Sequence, residues 1–142
     1  LVSRYEVTLE NYCKTILIEA NTMVDMARTE ILPAVEAFAL DTAKAAAAKR
    51  DLIPGCPCGY ETGLVEKLSA LTDQISRKTG ELEEAVLALA CAEDIRAEAE
   101  GIRDIVLPRM EELRLPCDRA ETLTAKKYWP FPTYGDLLFG VR

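Results

Sequence analysis

The chain has 142 residues, 49% of them hydrophobic, a net charge of −7 and no histidine. This length fits one domain with a sizeable core. The acidic balance argues against nucleic acid as a partner, because a phosphate backbone attracts a surplus of Lys and Arg. The lack of histidine excludes Ser/His/Asp and Cys/His catalysis and every metal site that needs an imidazole ligand.

Targeting and redox features point to the cytoplasm. No apolar run approaches the roughly 20 residues that a membrane span needs, and no N-terminal stretch has the pattern of a secretory signal. The cysteines are odd in number and widely spaced, which favours free thiols over a disulfide framework. They are Cys13, Cys56, Cys58, Cys91 and Cys117. Because the chain starts at Leu1 without an initiator methionine, we expect it to be part of a longer polypeptide.

The first predicted helix covers about residues 3–50. Apolar residues recur there every three or four positions, which indicates an amphipathic helix. Pro33 should cause a kink or a break near Ile31, since proline lacks a backbone N–H and crowds the carbonyl of Thr29. The apolar positions are Leu9, Tyr12, Ile16, Ala20, Met23, Ala27, Ile31, Val35 and Phe38.

The second predicted helix covers about residues 61–90 and follows a loop rich in Pro and Gly between Asp51 and Gly63. Its apolar residues alternate in steps of four and three, the 3.5-residue period of a coiled-coil seam. Lys78 is the one polar residue in that seam, which consists of Leu64, Leu68, Leu71, Ile75, Lys78, Leu82, Ala85 and Leu89.

The third predicted helix covers about residues 92–127. We expect Pro108 and Pro116 to interrupt it, with Asp118 capping a further turn. Three long helices joined by short connections must bury their apolar stripes against each other. The sequence therefore predicts an all-α fold, an elongated antiparallel bundle of three long helices within a single domain.

The last residues, 128–142, differ from the rest. Five of the nine aromatic residues lie in this tail, interleaved with proline and glycine. The tail is too rich in proline for a helix and too apolar to remain in water, so we expect it to dock against another surface. The candidate docking residues are Tyr128, Trp129, Phe131, Tyr134 and Phe139.

The sharpest candidate for a metal site is Cys56-Pro57-Cys58 in the first interhelical loop. A structural zinc site needs four ligands, and an up-down-up bundle would bring only Cys117 back near this loop. Reduced cysteines are therefore favoured over metal binding. Paired carboxylates lie opposite the apolar stripes, and no Gly-rich phosphate-binding loop is present. The sequence thus predicts no catalytic, cofactor-binding or metal-binding residue.

The beginning and the end of the chain resemble a known family. RYEVTLENYCKT (4–15), IEANTMVDMA (18–27) and ILPAV (31–35) resemble the start of the C-terminal helical region of type III glutamine synthetases. AETLTAKKYWPFPTYGDLLF (120–139) resembles the closing signature of that family more specifically. Between residues 40 and 115 the resemblance is one of helical pattern.

The resemblance implies a parent glutamate–ammonia ligase that uses ATP and Mg or Mn at sites upstream of this region. It implies partners in the parent catalytic domain and in neighbouring subunits of a ring-shaped homo-oligomer. The region itself would then be structural, regulatory or needed for assembly. The alternative is an independent helical scaffold that binds partner helices along its leucine-rich seam; a helical-bundle enzyme has no motif in its favour.

Overall fold

The computed structural model describes residues 3–132, which form helices and turns and confirm the all-α prediction. Two π-helical turns, Ala27–Ile31 and Ile102–Val106, each join two α-helices into one continuous rod. A short 3₁₀ turn, Leu89–Cys91, follows the third α-helix. The α-helices are α1 (Arg4–Met26), α2 (Leu32–Leu52), α3 (Gly59–Ala88), α4 (Ile95–Gly101) and α5 (Leu107–Leu123).

Polar side chains define where two of the rods begin. The Ser3 hydroxyl accepts a hydrogen bond from the backbone N–H of Glu6 at 3.1 Å and caps α1. The Asp94 carboxylate accepts one from the N–H of Ala97 at 2.8 Å and caps α4. Such caps satisfy donors that the first helical turn leaves without a partner. The third rod therefore begins at Ile95 rather than at residue 92.

Pro33 and Pro108 widen their helices without breaking them. Each is the second residue of its α-helix, directly after a π-helical turn. The N–H before Pro33, that of Leu32, bonds the carbonyl five residues back, as the N–H of Leu107 does before Pro108. A wider turn relieves the crowding that a proline ring imposes on the preceding turn. The break expected near Ile31 is therefore a π-helical turn inside a continuous helix.

The end of the third rod corrects two further expectations. Pro116 is buried inside α5 and does not interrupt it, so Asp118 lies within the same helix and caps no new one. The helix ends at Leu123, because Thr124 has extended backbone angles (φ −85°, ψ 133°). The predicted extension to residue 127 is wrong.

Ion pairs along the rods show that neighbours run antiparallel. Arg28 pairs with Glu83 at 2.6 Å, and Lys49, further along the first rod, pairs with Glu61 at 2.7 Å. Rising numbers on the first rod thus meet falling numbers on α3. At 1.5 Å per residue the first rod is about 70 Å long and α3 about 45 Å, so the bundle is elongated.

The core follows α3, which packs against both other rods. Each large apolar side chain that becomes fully buried contributes about 1.5–3 kcal/mol, so this seam is the main source of stability. The polar residue buried in this seam is Thr79, and not Lys78 as the sequence predicted. The hydroxyl of Thr79 donates to the carbonyl of Ile75 at 2.6 Å. Lys78 is 26% exposed and pairs with Glu81 and Glu112. The largest buried apolar side chains are Leu68, Ile75, Leu82, Ile102, Leu113, Val35 and Val106.

A bilayer span must be both long and apolar, and the helices within residues 3–132 do not meet both conditions. Each of them is too short or too polar to cross a membrane.

Candidate functional site

The first residues of the tail pack against the bundle. After α5, a turn is closed by hydrogen bonds from the N–H of Tyr128 to the carbonyl of Ala125 (2.9 Å) and from the N–H of Trp129 to the carbonyl of Lys126 (3.2 Å). This turn reverses the chain and brings the aromatic residues back towards the first rod. We refer to the packed residues 128–132 as the docked tail.

Tyr128 fixes the docked tail to α2. Its ring centre lies 5.1 Å from that of Phe38, with the planes tilted by 42°. Its hydroxyl donates a hydrogen bond to the carboxylate of Asp41, and this bond raises the pKa of Tyr128. The ammonium of Lys127 lies 5.1 Å from the centre of the same ring, within cation–π range. The tyrosine ring thus contacts both Phe38 and Lys127.

Trp129 is the most deeply placed aromatic residue of the docked tail. It is 9% exposed and belongs to the main hydrophobic cluster. Phe131 packs edge-on against it, with ring centres 6.3 Å apart and an interplanar angle of 80°. Within residues 3–132 the indole N–H of Trp129 finds no hydrogen-bond acceptor. The indole is therefore held by packing alone.

A cavity of about 210 Å³ lies beside Trp129, between the first and third rods. Its floor is apolar, and Arg114 at its rim lies 3.5 Å from the carboxylate of Asp118 and 3.7 Å from that of Glu111. The lining residues are Met23, Met26, Ala27, Ile31, Leu113, Arg114, Cys117, Asp118, Glu121, Trp129 and Phe131.

Cys117 lies in this cavity and not near the interhelical loop. It faces Ile31, which is about 30 Å of helix before the end of α2 at Leu52. The expectation that Cys117 returns to Cys56 and Cys58 is therefore wrong. Burial raises the pKa of the Cys117 thiol to about 11, so the thiol is neutral at physiological pH.

The structure brings together three of the five aromatic residues predicted for docking. Tyr128, Trp129 and Phe131 form the docked tail, whereas Tyr134 and Phe139 lie outside the described residues. The packing of these three is internal to the bundle. Their role as an interface to another domain or subunit remains a prediction.

A second candidate surface, which the sequence reasoning missed, lies where α1 meets α4. Tyr12 was predicted to face the core but is 42% exposed, and Tyr5 is 65% exposed. A groove of about 410 Å³ runs between them and α4. The signal in the sequence is a pair of tyrosines seven residues, or about two helical turns, apart. We call this surface the N-terminal groove: Tyr5, Leu9, Tyr12, Arg96, Ala99, Glu100 and Arg103.

Several of the acidic side chains have structural partners. Asp94 is a helix cap, and Asp104 accepts two hydrogen bonds from Arg103, at 2.8 and 3.1 Å, which lower the pKa of Asp104. Across residues 3–132, no three Cys, Asp or Glu side chains cluster closely enough to hold a metal ion. The two candidate surfaces are thus a docked aromatic tail and an open groove.

Comparison with known proteins identifies relatives of this chain. Residues 1–50 match the family model of the glutamine synthetase C-terminal domain. The chain is 34% identical to a glutamine synthetase from Butyrivibrio fibrisolvens, over 100% of this chain and 20% of that protein. It is 30% identical to the type-3 glutamine synthetase of Dictyostelium discoideum, over 98% of this chain and 20% of that protein. The chain thus spans about one fifth of the length of the curated relatives it matches, and the resemblance is confirmed.

Proposed function

Because the chain is homologous from end to end to the C-terminal part of glutamine synthetases, we propose that it serves as a non-catalytic helical region of a type III glutamine synthetase. In this proposal the parent enzyme is cytoplasmic and joins ammonia to glutamate with ATP and Mg or Mn bound upstream. The helical region holds the catalytic part or a neighbouring subunit in a homo-oligomeric ring.

The observation that carries this proposal is the N-terminal groove. Tyrosine and arginine are enriched in protein interfaces, because each combines a large contact area with a hydrogen-bonding end. The groove places Tyr5 and Tyr12 opposite Arg96 and Arg103. Unlike the buried Trp129, these tyrosines leave much of their surface uncovered by the described residues, and that surface lies beside two arginines.

Charge and position favour the rest of the polypeptide as the occupant of this groove. The groove is formed by the first turns of α1, next to the point where the longer relatives continue upstream. Arg103 is already paired with Asp104, whereas Arg96 makes no ion pair within residues 3–132. A partner surface that offers an apolar side chain and a carboxylate would fit the tyrosines and Arg96.

The test uses the full-length enzyme that carries this region. Replacing both Tyr5 and Tyr12 with alanine should reduce the oligomer mass measured by light scattering and lower ligase activity with it. Tyr60→Ala, at the other end of the bundle and 75% exposed, is the matched control and should leave both unchanged. Full assembly and activity in the double variant would contradict the proposal.

The isolated chain provides a second test. With saturating ATP, glutamate, ammonia and metal, it should give only background ligase activity. Turnover above background in a clean preparation would show a catalytic site that the proposal denies. A gene that encodes these residues with their own start codon would instead favour the independent helical scaffold.

A further inference from the structure

The loop between α2 and α3 holds two cysteine sulfurs in contact. The Sγ atoms of Cys56 and Cys58 are 3.6 Å apart, whereas a disulfide bond is about 2.05 Å long. A movement of roughly 1.5 Å would therefore join them. Both cysteines are free in the structure. Pro57 is the single residue that separates the two cysteines in the sequence. Among the described cysteines, these two are the pair that makes a sulfur–sulfur contact.

The loop backbone is fixed in a way that maintains this contact. The Arg50 guanidinium donates to the carbonyls of Cys56 (3.5 Å) and Pro57 (3.4 Å). The N–H of Cys56 donates to the carbonyl of Ile53 at 3.0 Å. Cys58 adopts a left-handed conformation (φ 46°, ψ 35°), which an L-residue with a side chain rarely occupies. A backbone held in such a region is a feature that recurs at functional positions.

The two sulfurs differ in environment, and this difference assigns their roles. Cys58 is buried, and its thiol lies within hydrogen-bonding distance of the Ala46 carbonyl (3.7 Å) and of the Cys56 sulfur (3.6 Å). Burial, and next the contact with Cys56, raise the pKa of Cys58. Cys56 is half-exposed and is the acceptor in that contact. Because Cys56 is the more accessible of the two sulfurs, it is the one that an external disulfide reaches first.

Positive charge lies beside both sulfurs. Lys49 interacts electrostatically with Cys56 and Cys58, and Arg50 favours the thiolate form of Cys58. Glu61 pairs with Lys49 at 2.7 Å and acts in the opposite direction on Cys58. The long helix α3 begins at Gly59, so its positive N-terminal end also points to this loop. The charge of Arg50 thus partly offsets the effect of burial on the Cys58 thiol.

We propose that Cys56 and Cys58 form a redox-active dithiol that closes into a disulfide by exchange with a small disulfide of the glutathione class. Cys56 loses its proton to solvent, and its sulfur attacks one sulfur of the oxidised tripeptide, breaks its S–S bond and releases one glutathione thiolate, which takes a proton from solvent. Cys58 then loses its proton to solvent and attacks the Cys56 sulfur, which breaks the mixed disulfide and releases the second glutathione as a thiolate that also takes a proton. The protein dithiol loses two electrons and two protons, and one oxidised glutathione becomes two reduced ones.

The inference does not depend on the proposed role in glutamine synthetase. The loop joins α2 to α3 at one end of the bundle, whereas the N-terminal groove lies between α1 and α4 at the other end. Closure would draw the Cys58 sulfur away from the Ala46 carbonyl, at the point where α3 begins. In a reducing compartment the pair stays as thiols, and it closes only when the glutathione pool becomes oxidised.

The experiment equilibrates the chain with glutathione buffers of increasing oxidised fraction, quenches with acid, alkylates free thiols and maps the products by mass spectrometry. Trypsin places both cysteines in one peptide, residues 51–67. That peptide should lose two hydrogen atoms and escape alkylation as the buffer becomes oxidising. Cys91, an exposed thiol with no described cysteine beside it, should instead carry an alkyl group or a glutathione adduct.

Variants separate the two roles. Cys58→Ser should trap the mixed disulfide at Cys56 and raise its amount at least about tenfold over the parent chain, because no resolving thiol remains. Cys56→Ser, a change at a half-exposed position, should abolish the internal disulfide without an adduct at Cys58. Cys91→Ser is the matched control and should leave the 51–67 disulfide unchanged.

Two results would overturn the proposal. One is alkylation of both Cys56 and Cys58 in fully oxidised buffer while Cys91 is glutathionylated. The other is an equal yield of the mixed disulfide at Cys56 in the parent chain and in Cys58→Ser. The first result does not need any variant, so a folding defect in Cys58→Ser cannot obscure the outcome.

Discussion

The docked tail and the N-terminal groove use the same type of residue for opposite purposes. In the docked tail, Trp129 is 9% exposed and Tyr128 has a hydrogen-bond partner in Asp41. In the groove, Tyr5 is 65% exposed and Tyr12 is 42% exposed. Aromatic residues that are packed within their own chain stabilise the bundle, whereas exposed ones leave surface that a partner can contact. The comparison therefore separates the aromatic residues that stabilise the bundle from those that we propose contact a partner surface.

The largest effect is expected for Trp129. Trp129→Ala should lower the free energy of unfolding by about 3–5 kcal/mol, because a large buried aromatic side chain is lost next to an existing cavity. Urea unfolding followed by circular dichroism measures this. Trp129→Phe is the matched control and should cost less, since the indole N–H has no acceptor within residues 3–132. A loss below about 1 kcal/mol for Trp129→Ala would show that the tail does not stabilise the bundle.

A smaller, pH-dependent effect is expected for Tyr128. The hydrogen bond to Asp41 raises the pKa of Tyr128, so the folded chain holds the phenolic proton more tightly than the unfolded chain does. The resulting stability is present below the ordinary tyrosine pKa of about 10 and is lost as the pH rises through the raised folded value. Tyr128→Phe should therefore be less stable than the parent at pH 8, and the difference should shrink above pH 10. A difference that stays constant up to pH 11 would contradict this.

The helical periodicity was sufficient to predict the bundle, because burial of an apolar stripe requires only the local spacing of residues. Leu68, Ile75 and Leu82 on the predicted seam are all buried. The effect of the prolines was harder to predict, since it depends on how a turn relaxes. Pro33 and Pro108 follow the repeated pattern Arg-x-x-(Ile/Val)-Leu-Pro, which was not recognised as a sign of a π-helical turn.

The candidate sites were predictable to different degrees. The composition of the tail indicated docking, because so many apolar side chains in a proline-rich segment need a surface. The N-terminal groove was missed, since Tyr12 fits the apolar period and only the packing of α4 shows that the core does not reach it. The Cys56–Cys58 contact could not be predicted from the sequence either, because the spacing of the two cysteines does not indicate the left-handed backbone conformation of Cys58.

The smallest effect is expected for the groove tyrosines in the isolated chain, and this prediction completes the comparison. Replacing Tyr5 and Tyr12 together with alanine should change the free energy of unfolding by no more than about 0.5 kcal/mol, because exposed side chains lose little contact on truncation. The same pair of substitutions is expected to impair assembly of the full-length enzyme. Urea unfolding of the double variant, beside Tyr60→Ala as an exposed control, measures the first part. Loss of more than about 2 kcal/mol would place the tyrosines in the fold of the bundle, and any assembly defect would then report unfolding rather than a lost interface. A neutral result would allow an assembly defect of the full-length enzyme to be assigned to the altered surface rather than to unfolding.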